Sequence, residues 1–227
     1  MAPDDCTPGG GPPQDAFRQT RQAMVAEQIA ARGVKDPRVL DAMRTVPRHE
    51  FVPEASRADA YLDSPLPIGH GQTISQPYIV ALMTELARPS PTDRVLEVGT
   101  GSGYQAAVIS RLVARVFSVE LVEPLAASAA TALRRLGYAN VTVRSGDGYL
   151  GWPDEAPFDV ILVTAAPEVV PAALVAQLRP GGRLVVPVGA VHDVQDLQLI
   201  EKDADGRVST RSVIPVRFVP MVKKRQG

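Results

Sequence analysis

Residues 94–104 read Arg94-Val95-Leu96-Glu97-Val98-Gly99-Thr100-Gly101-Ser102-Gly103-Tyr104. A short apolar run passes into three alternating glycines and then into a helix expected over 104–112. Glycines at such a strand-to-helix turn let the backbone bend tightly and let a ligand approach the main chain. The spacing is G-x-G-x-G. The dinucleotide fingerprint would need glycine at position 104, where Tyr104 stands, and the loop lacks the Lys-Ser/Thr ending of a P-loop. The stretch therefore argues for a βα turn at a nucleotide-type crevice without fixing the ligand, and Glu97 is expected to point into the same crevice.

Downstream the strand–helix rhythm continues. Strands are expected at 116–120, 141–144, 158–164 and 183–188, with helices at 125–136 and 169–178 between them. Such alternation predicts βαβ units, an α/β fold built on a doubly wound, mostly parallel sheet. After Gly189 the rhythm breaks, and the runs 197–202 and 208–216 flank Asp203-Ala204-Asp205-Gly206, which predicts a closing antiparallel hairpin.

Upstream, Phe17, Met24, Val25, Gln28 and Ile29 follow helical spacing up to a stop at Gly33, and Asp36-Pro37 opens a second helix that Pro47 ends. The segment 48–71 has no sustained period and is expected to be an irregular wrap. Pro77 opens a further helix, with Ile79, Leu82, Met83 and Leu86 expected on its buried face. The run Pro8-Gly9-Gly10-Gly11-Pro12-Pro13 marks residues 1–14 as a disordered leader. The expected organisation is one domain over 15–222, with an N-terminal helical cap at 15–90 and the sheet at 91–222, then a tail at 223–227.

Composition narrows the function classes. The 227 residues are 45% hydrophobic, and 24 Lys+Arg against 25 Asp+Glu leave a net charge of −1, which argues against a polybasic nucleic-acid binder. The one cysteine, Cys6, excludes a disulfide framework or a cysteine-ligated metal within the chain, and no metal is expected. No apolar run approaches the ~18–20 residues of a membrane span, and the N-terminus has no basic and apolar export pattern. A cytoplasmic protein is expected.

Two strand ends carry further chemistry. Glu120 can accept hydrogen bonds from both ribose hydroxyls of an adenosine ligand, or be a solvated strand end. Asp147, within Gly146-Asp147-Gly148, can reach an adenine amino group, or merely serve a turn. Together with the glycine loop, this constellation resembles the S-adenosylmethionine-dependent methyltransferases with a Rossmann-like sheet.

The resemblance sharpens in Gly69-His70-Gly71-Gln72-Thr73-Ile74-Ser75-Gln76-Pro77-Tyr78, which looks like the signature of protein-L-isoaspartate O-methyltransferases. Val46-Pro47-Arg48, Phe51-Val52-Pro53, Val163-Thr164-Ala165-Ala166-Pro167, Pro180-Gly181-Gly182 and Arg217-Phe218-Val219-Pro220 fit the same family, so the match spans roughly 20–222. Tyr78 departs from the pattern, since many relatives have His there. The resemblance implies S-adenosyl-L-methionine as cofactor, held by Gln76, Pro77, Glu97, Gly99, Thr100, Gly101, Ser102, Gly103, Glu120, Asp147, Gly148 and Thr164. It implies Ser75 as the active-site residue, with Thr73, Ile74, Val219 and Pro220 holding an isoaspartyl peptide or protein. Read on its own, Ser75 could instead cap the helix opened by Pro77.

The implied chemistry suits the residues present. The free α-carboxylate of an isoaspartyl residue, with a pKa of about 3.5–4, is already an anion at neutral pH and needs no general base. His49, His70 and His192 form no evident His–acid pair. Positioning and desolvation suffice. The resulting ester would cyclise to a succinimide and so initiate repair. Asp methylation in ribosomal peptide maturation is the alternative, but those relatives carry a long C-terminal extension where this chain stops soon after Pro220. A binding module without activity fits poorly with Ser75, Glu120 and Asp147 together. The block at 164–167 lacks the Asn/Asp-Pro-Pro-aromatic motif of nucleic-acid amino methyltransferases. A monomer with no nucleic-acid or membrane partner is expected.

Overall fold

A computed structural model describes residues 16–191 and 193–223. The expected leader at 1–14, His192 and most of the tail lie outside the described residues. Helix α1 (Arg18–Ala23) runs into a wider π-helical turn at Met24–Ile29 and a 3₁₀ turn at Ala30–Arg32, and Gly33 stops it with φ +100°. Helix α2 (Pro37–Thr45) begins as the sequence predicts, with the Asp36 side chain accepting from the Arg38 N–H and Pro37 at the first helical position.

The segment 48–71 is more ordered than expected. It forms 3₁₀ turns at Arg48–Phe51 and Glu54–Asp59, then strand β1 (Leu66–Gly69), which pairs antiparallel with β2 (Gln72–Ile74). These strands are too short to show a period of two. The reversal is made by Gly69-His70-Gly71, with φ values of +89°, +52° and +70°. Helix α3 (Pro77–Ala87) follows. Its fully buried residues are Pro77, Val80, Ala81, Met83, Thr84 and Ala87, whereas Ile79, Leu82 and Leu86 are only half-buried. The expected buried face is therefore displaced, and α3 packs against both α2 and the central sheet.

Strand β3 (Arg94–Val98), helix α4 (Tyr104–Ser110), strand β4 (Arg115–Glu120), helix α5 (Glu123–Arg135) and strands β5 (Val141–Ser145) and β6 (Phe158–Val163) continue the fold. Helix α6 (Ala172–Gln177), strand β7 (Leu178–Val188) and the strands β8 (Gln195–Lys202) and β9 (Val208–Val216) complete it. Helix α6 is shorter than the expected 169–178: Pro171 takes extended backbone at its cap position, and a proline disfavours helical backbone in the residue before it.

The seven strands lie in the order β5-β4-β3-β6-β7-β8-β9, parallel from β5 to β7 and antiparallel over the last two pairs. This is the doubly wound sheet with a C-terminal hairpin that the pattern predicts. The order reverses between β3 and β6, so a crevice opens at their carboxyl ends.

Alternate residues feed two cores. Leu96, Val98, Phe117, Val119, Ile161, Val163, Leu184 and Val186 pack on one face with Trp152 and Leu174. Val95, Val116, Val160, Leu162 and Val185 pack on the other, with α3, α4 and the N-terminal helices. That second core also encloses Arg48, fully buried, whose Nε donates to the Ala60 carbonyl at 2.7 Å and whose guanidinium lies 4.9 Å from the Tyr104 ring centroid. Burial pulls its pKa down to about 10, so it remains a cation at neutral pH.

Candidate active site

The crevice at the switch point is built on the glycine loop. The Gly99 N–H donates to the Val119 carbonyl at 2.8 Å, and the Thr164 N–H to the Val98 carbonyl at 2.9 Å, so the ends of β4 and β6 hold the loop from both sides. The Thr164 hydroxyl donates to the Gly99 carbonyl at 2.5 Å. A Cβ at position 99, already strained at φ +97°, would lie 2.5 Å from that same hydroxyl oxygen. Only glycine fits there.

Glu120, at the end of β4, uses both carboxylate oxygens. Oε2 accepts from the Gly101 N–H at 2.8 Å and Oε1 from the Val122 N–H at 2.9 Å. The carboxylate thus ties the glycine loop to the β4 end and still lines the crevice. An ionised carboxylate offers about four lone-pair sites, so accepting two N–H groups leaves room for two ligand hydroxyls.

Glu97 is not where the sequence reading puts it. It is fully buried and lies beneath the loop rather than on the crevice wall. Strand parity explains this, since residues 95 and 97 share the face turned to the helical core. The parallel register sets Glu97 opposite Ser118. The Ser118 hydroxyl donates to the Glu97 carboxyl and shares a second hydrogen bond, 2.5 Å long, with Thr100 Oγ1. Burial pushes the Glu97 pKa up to about 8, a rise that the Ser118 hydrogen bond opposes and the nearby Glu120 charge supports. The group is mostly protonated at neutral pH, and its relay to Thr100 braces the loop from below.

Of the other expected cofactor residues, Gly99, Thr100, Gly101, Ser102, Gly148 and Thr164 line the crevice. Gly103, Pro77 and Asp147 do not. Gly103 instead faces α5, where a Cβ would press to 3.2 Å against Leu133. Asp147 accepts from the Tyr149 N–H at 2.9 Å and so caps the 3₁₀ turn at Gly148–Leu150 that carries Gly148 to the wall. Gln76 lines a second, adjoining cleft.

That second cleft lies between β2, the start of α3 and the segment after β9. Thr73, Ser75, Thr164 and Val219 line both clefts and form their junction. Ile74 and Pro220 line the first. The Val219 carbonyl accepts from the Ala166 N–H at 2.8 Å, and the Met221 N–H donates to the Ala166 carbonyl at 2.8 Å, which pins the 219–221 segment across the mouth. The Phe218 N–H is held by Gln195 Oε1 at 2.8 Å. The capping alternative for Ser75 does not hold: the cap position of α3 is Gln76, and no side chain caps that helix start. Among the described residues the Ser75 hydroxyl has no hydrogen-bond partner, and it is left for whatever enters the junction.

Sequence reasoning missed several walls. Leu121 and Val122 follow Glu120 directly and line the first cleft, a position that was legible. Val80, Gln105 and Met221 line it too, and Arg32, Tyr78 and Ile214 line the second, brought together only by folding. Among the described residues no histidine lines either cleft, and His70 sits in the β1–β2 reversal. No cluster of three or more potential metal-ligating side chains occurs among the described residues.

Comparison with known proteins bears directly on this site. Residues 19–226 match the family model described as protein-L-isoaspartate(D-aspartate) O-methyltransferase. A protein-L-isoaspartate O-methyltransferase 1 from Cupriavidus necator is 55% identical over 215 residues, covering 93% of this chain and 83% of that protein. A solved protein-L-isoaspartate O-methyltransferase superposes with a TM-score of 0.80 at 33% identity, over 89% of this chain and 65% of that one. A structure described as a putative protein-L-isoaspartate O-methyltransferase from Plasmodium falciparum, in complex with S-adenosyl-L-homocysteine, gives 0.76 at 26% identity, over 90% of this chain and 99% of that one.

Proposed function

The chain belongs to the protein-L-isoaspartate(D-aspartate) O-methyltransferase family, and from that premise we propose which of its residues perform the reaction. The enzyme methylates the free carboxylate of isoaspartyl residues, using S-adenosylmethionine. Bound in the first cleft, that cofactor supplies a methyl group on a sulfonium centre, to which a carboxylate oxygen forms a C–O bond as the C–S bond breaks and its electron pair stays on sulfur.

The first cleft suits such a cofactor. Glu120 retains acceptor capacity for a ribose diol, the loop from Gly99 to Ser102 presents backbone at close approach, and Leu121, Val122 and Met221 supply apolar walls. Asp147 serves through the turn it caps, which sets Gly148 in the wall. Glu97 serves through Ser118 and Thr100, as a brace. Gln76 and Pro77 start α3, whose first turn no side chain caps, and Gln76, Tyr78 and Ile79 line the second cleft there.

One observation carries the assignment of the acceptor side: Ser75 lines both clefts and its hydroxyl is uncommitted. At that junction it donates a hydrogen bond to the acceptor carboxylate and aims one oxygen at the methyl group. Thr73, Ile74, Val219 and Pro220 form the walls that hold the peptide and keep water out. No proton has to move, because the acceptor is already ionised. Transfer neutralises charge, so a dry junction accelerates it. We further propose a monomer working in the cytoplasm without nucleic acid, with 15–222 acting as one domain. The single Cys6 supports the cytoplasmic setting, and the net charge of −1 the absence of a nucleic-acid partner. No helix among the described residues is long and apolar enough to cross a membrane.

Ser75→Ala tests the assignment. Losing a hydrogen bond to a charged group costs about 1.5–3 kcal/mol, so kcat should fall roughly 10- to 150-fold. Cofactor affinity measured by calorimetry should stay near wild type. Unchanged kcat with a lowered Tm would show a structural serine instead.

A further inference from the structure

The second cleft holds an arrangement that the transfer chemistry does not use. Arg32, from the 3₁₀ turn at Ala30–Arg32, lays its guanidinium 3.6 Å from the centroid of the Tyr78 ring. One of its nitrogens is tied at 2.6 Å to Asp63 Oδ2. Stacking and tether together fix the plane of a side chain that would otherwise sample many rotamers, and the Arg32 side chain is still 44% exposed. Its remaining N–H groups have no partner among the described residues. Tyr78, the departure from the family pattern, is the shelf.

Charge in this cleft is one-sided. Among the described residues, Arg32 and the exposed Arg217 are its charged lining residues and no acid lines it. Asp63 offsets part of the Arg32 charge but lies outside the lining, and Arg217 has no ion-pair partner among the described residues. The cleft joins the Ser75 junction directly, through Thr73 and Val219. A peptide that reaches Ser75 through this cleft runs past two cationic donors.

We propose that Arg32, held flat on Tyr78, is a specificity-determining residue that selects isoaspartyl peptides bearing a second carboxylate close to the isoaspartyl residue. This rests on the isoaspartyl reading above. A guanidinium whose plane is already fixed loses little entropy on forming a forked pair with a carboxylate. Half-exposed ion pairs are screened, so the preference is modest and depends on salt. The second carboxylate is a neighbouring Asp or Glu side chain or the α-carboxylate of a nearby chain end, and the two sources are separable.

The experiment compares kcat/KM for matched isoaspartyl peptides carrying Glu, Gln or Lys at one position at a time, within two residues on either side. Each is made with a free and with an amidated C-terminus. The wild type should prefer the best-placed Glu over its Lys twin by about 2- to 10-fold through KM, as expected for one or two screened pairs. The Glu/Lys ratio should shrink toward unity in Arg32→Gln and in 0.5 M salt. Arg32→Lys, which keeps the charge but not the fork, should retain only part of it. Using a ratio within each variant cancels any loss of folded enzyme. A free-acid peptide outperforming its amide, with no response to side-chain charge, would assign the site to chain ends. Equal kcat/KM across all charges, or a ratio unchanged in Arg32→Gln, would overturn the proposal. Absence of methyl transfer to the neutral Gln peptide would instead overturn the isoaspartyl reading, and this proposal with it.

Discussion

Glu120 does two things with one carboxylate, and they can be separated. Its oxygens hold the Gly101 and Val122 N–H groups, and the same atoms face the cleft where a ribose diol would sit. Glu120→Ala removes both functions. Charge-assisted hydrogen bonds are worth about 1.5–3 kcal/mol, so S-adenosylmethionine affinity should drop by that much in a calorimetric titration. Glu120→Gln keeps one acceptor and should lose less. Affinity equal to wild type in the alanine variant would remove Glu120 from the cofactor site. The neighbouring acid behaves differently for a reason of geometry. Glu97 and Glu120 both stand on short apolar strands, and a linear reading treats them alike. One lies within its strand on the buried face, and the other ends its strand at the cleft.

At the scale of elements, β3 and β4 are joined by more than their backbone ladder. The Glu97–Ser118–Thr100 relay crosses from one strand to the other and up into the loop. Its protonation makes a stability prediction with a definite sign. The folded-state pKa of Glu97 is raised from 4.5 to about 8, so between those values the folded protein holds a proton that the unfolded chain releases. Stability of the unliganded enzyme should therefore fall as pH rises from about 5 to 8, by at most about 1.4 kcal/mol per pH unit from this group. Glu97→Gln should flatten that slope in denaturant titrations run across the range. An unchanged slope would mean that Glu97 is ionised in the native state. The same elements show what was legible in advance. The strand–helix rhythm, the Asp36-Pro37 start and the closing hairpin were visible because each rests on a local pattern. The β1–β2 hairpin was not, because strands this short show no period. Nor was the meeting of Arg32 with Tyr78, because it depends on how the N-terminal helices pack against α3. For the site, the glycine loop, Glu120 and Ser75 were readable as motif positions. Asp147 and Gly103 were read as cofactor residues, whereas Asp147 caps the turn that carries Gly148 and Gly103 faces α5, placements that follow from folding and not from the motif.

The whole molecule brings the proposed cofactor cleft, built by the ends of β3, β4 and β6, against the proposed peptide cleft built by β2, α3 and the segment after β9. They meet at Thr73, Ser75, Thr164 and Val219. With no histidine lining either cleft among the described residues, and an acceptor that is already ionised, the rate of methyl transfer should not follow an imidazole titration. Measured under single-turnover conditions, it should vary less than about twofold from pH 6 to 7.5, since the acceptor carboxylate is ionised throughout. A rise approaching tenfold per pH unit below about 6.5 would require a histidine base. The central claim is that this junction accepts the carboxylate of an isoaspartyl residue and methylates it without a base. The most direct measurement is transfer of labelled methyl from S-adenosylmethionine to an isoaspartyl peptide and to its normal-aspartyl twin, side by side. Label should appear as a base-labile ester on the isoaspartyl peptide and remain at background on the twin. Equal labelling of both peptides, or labelling of neither, would contradict the account.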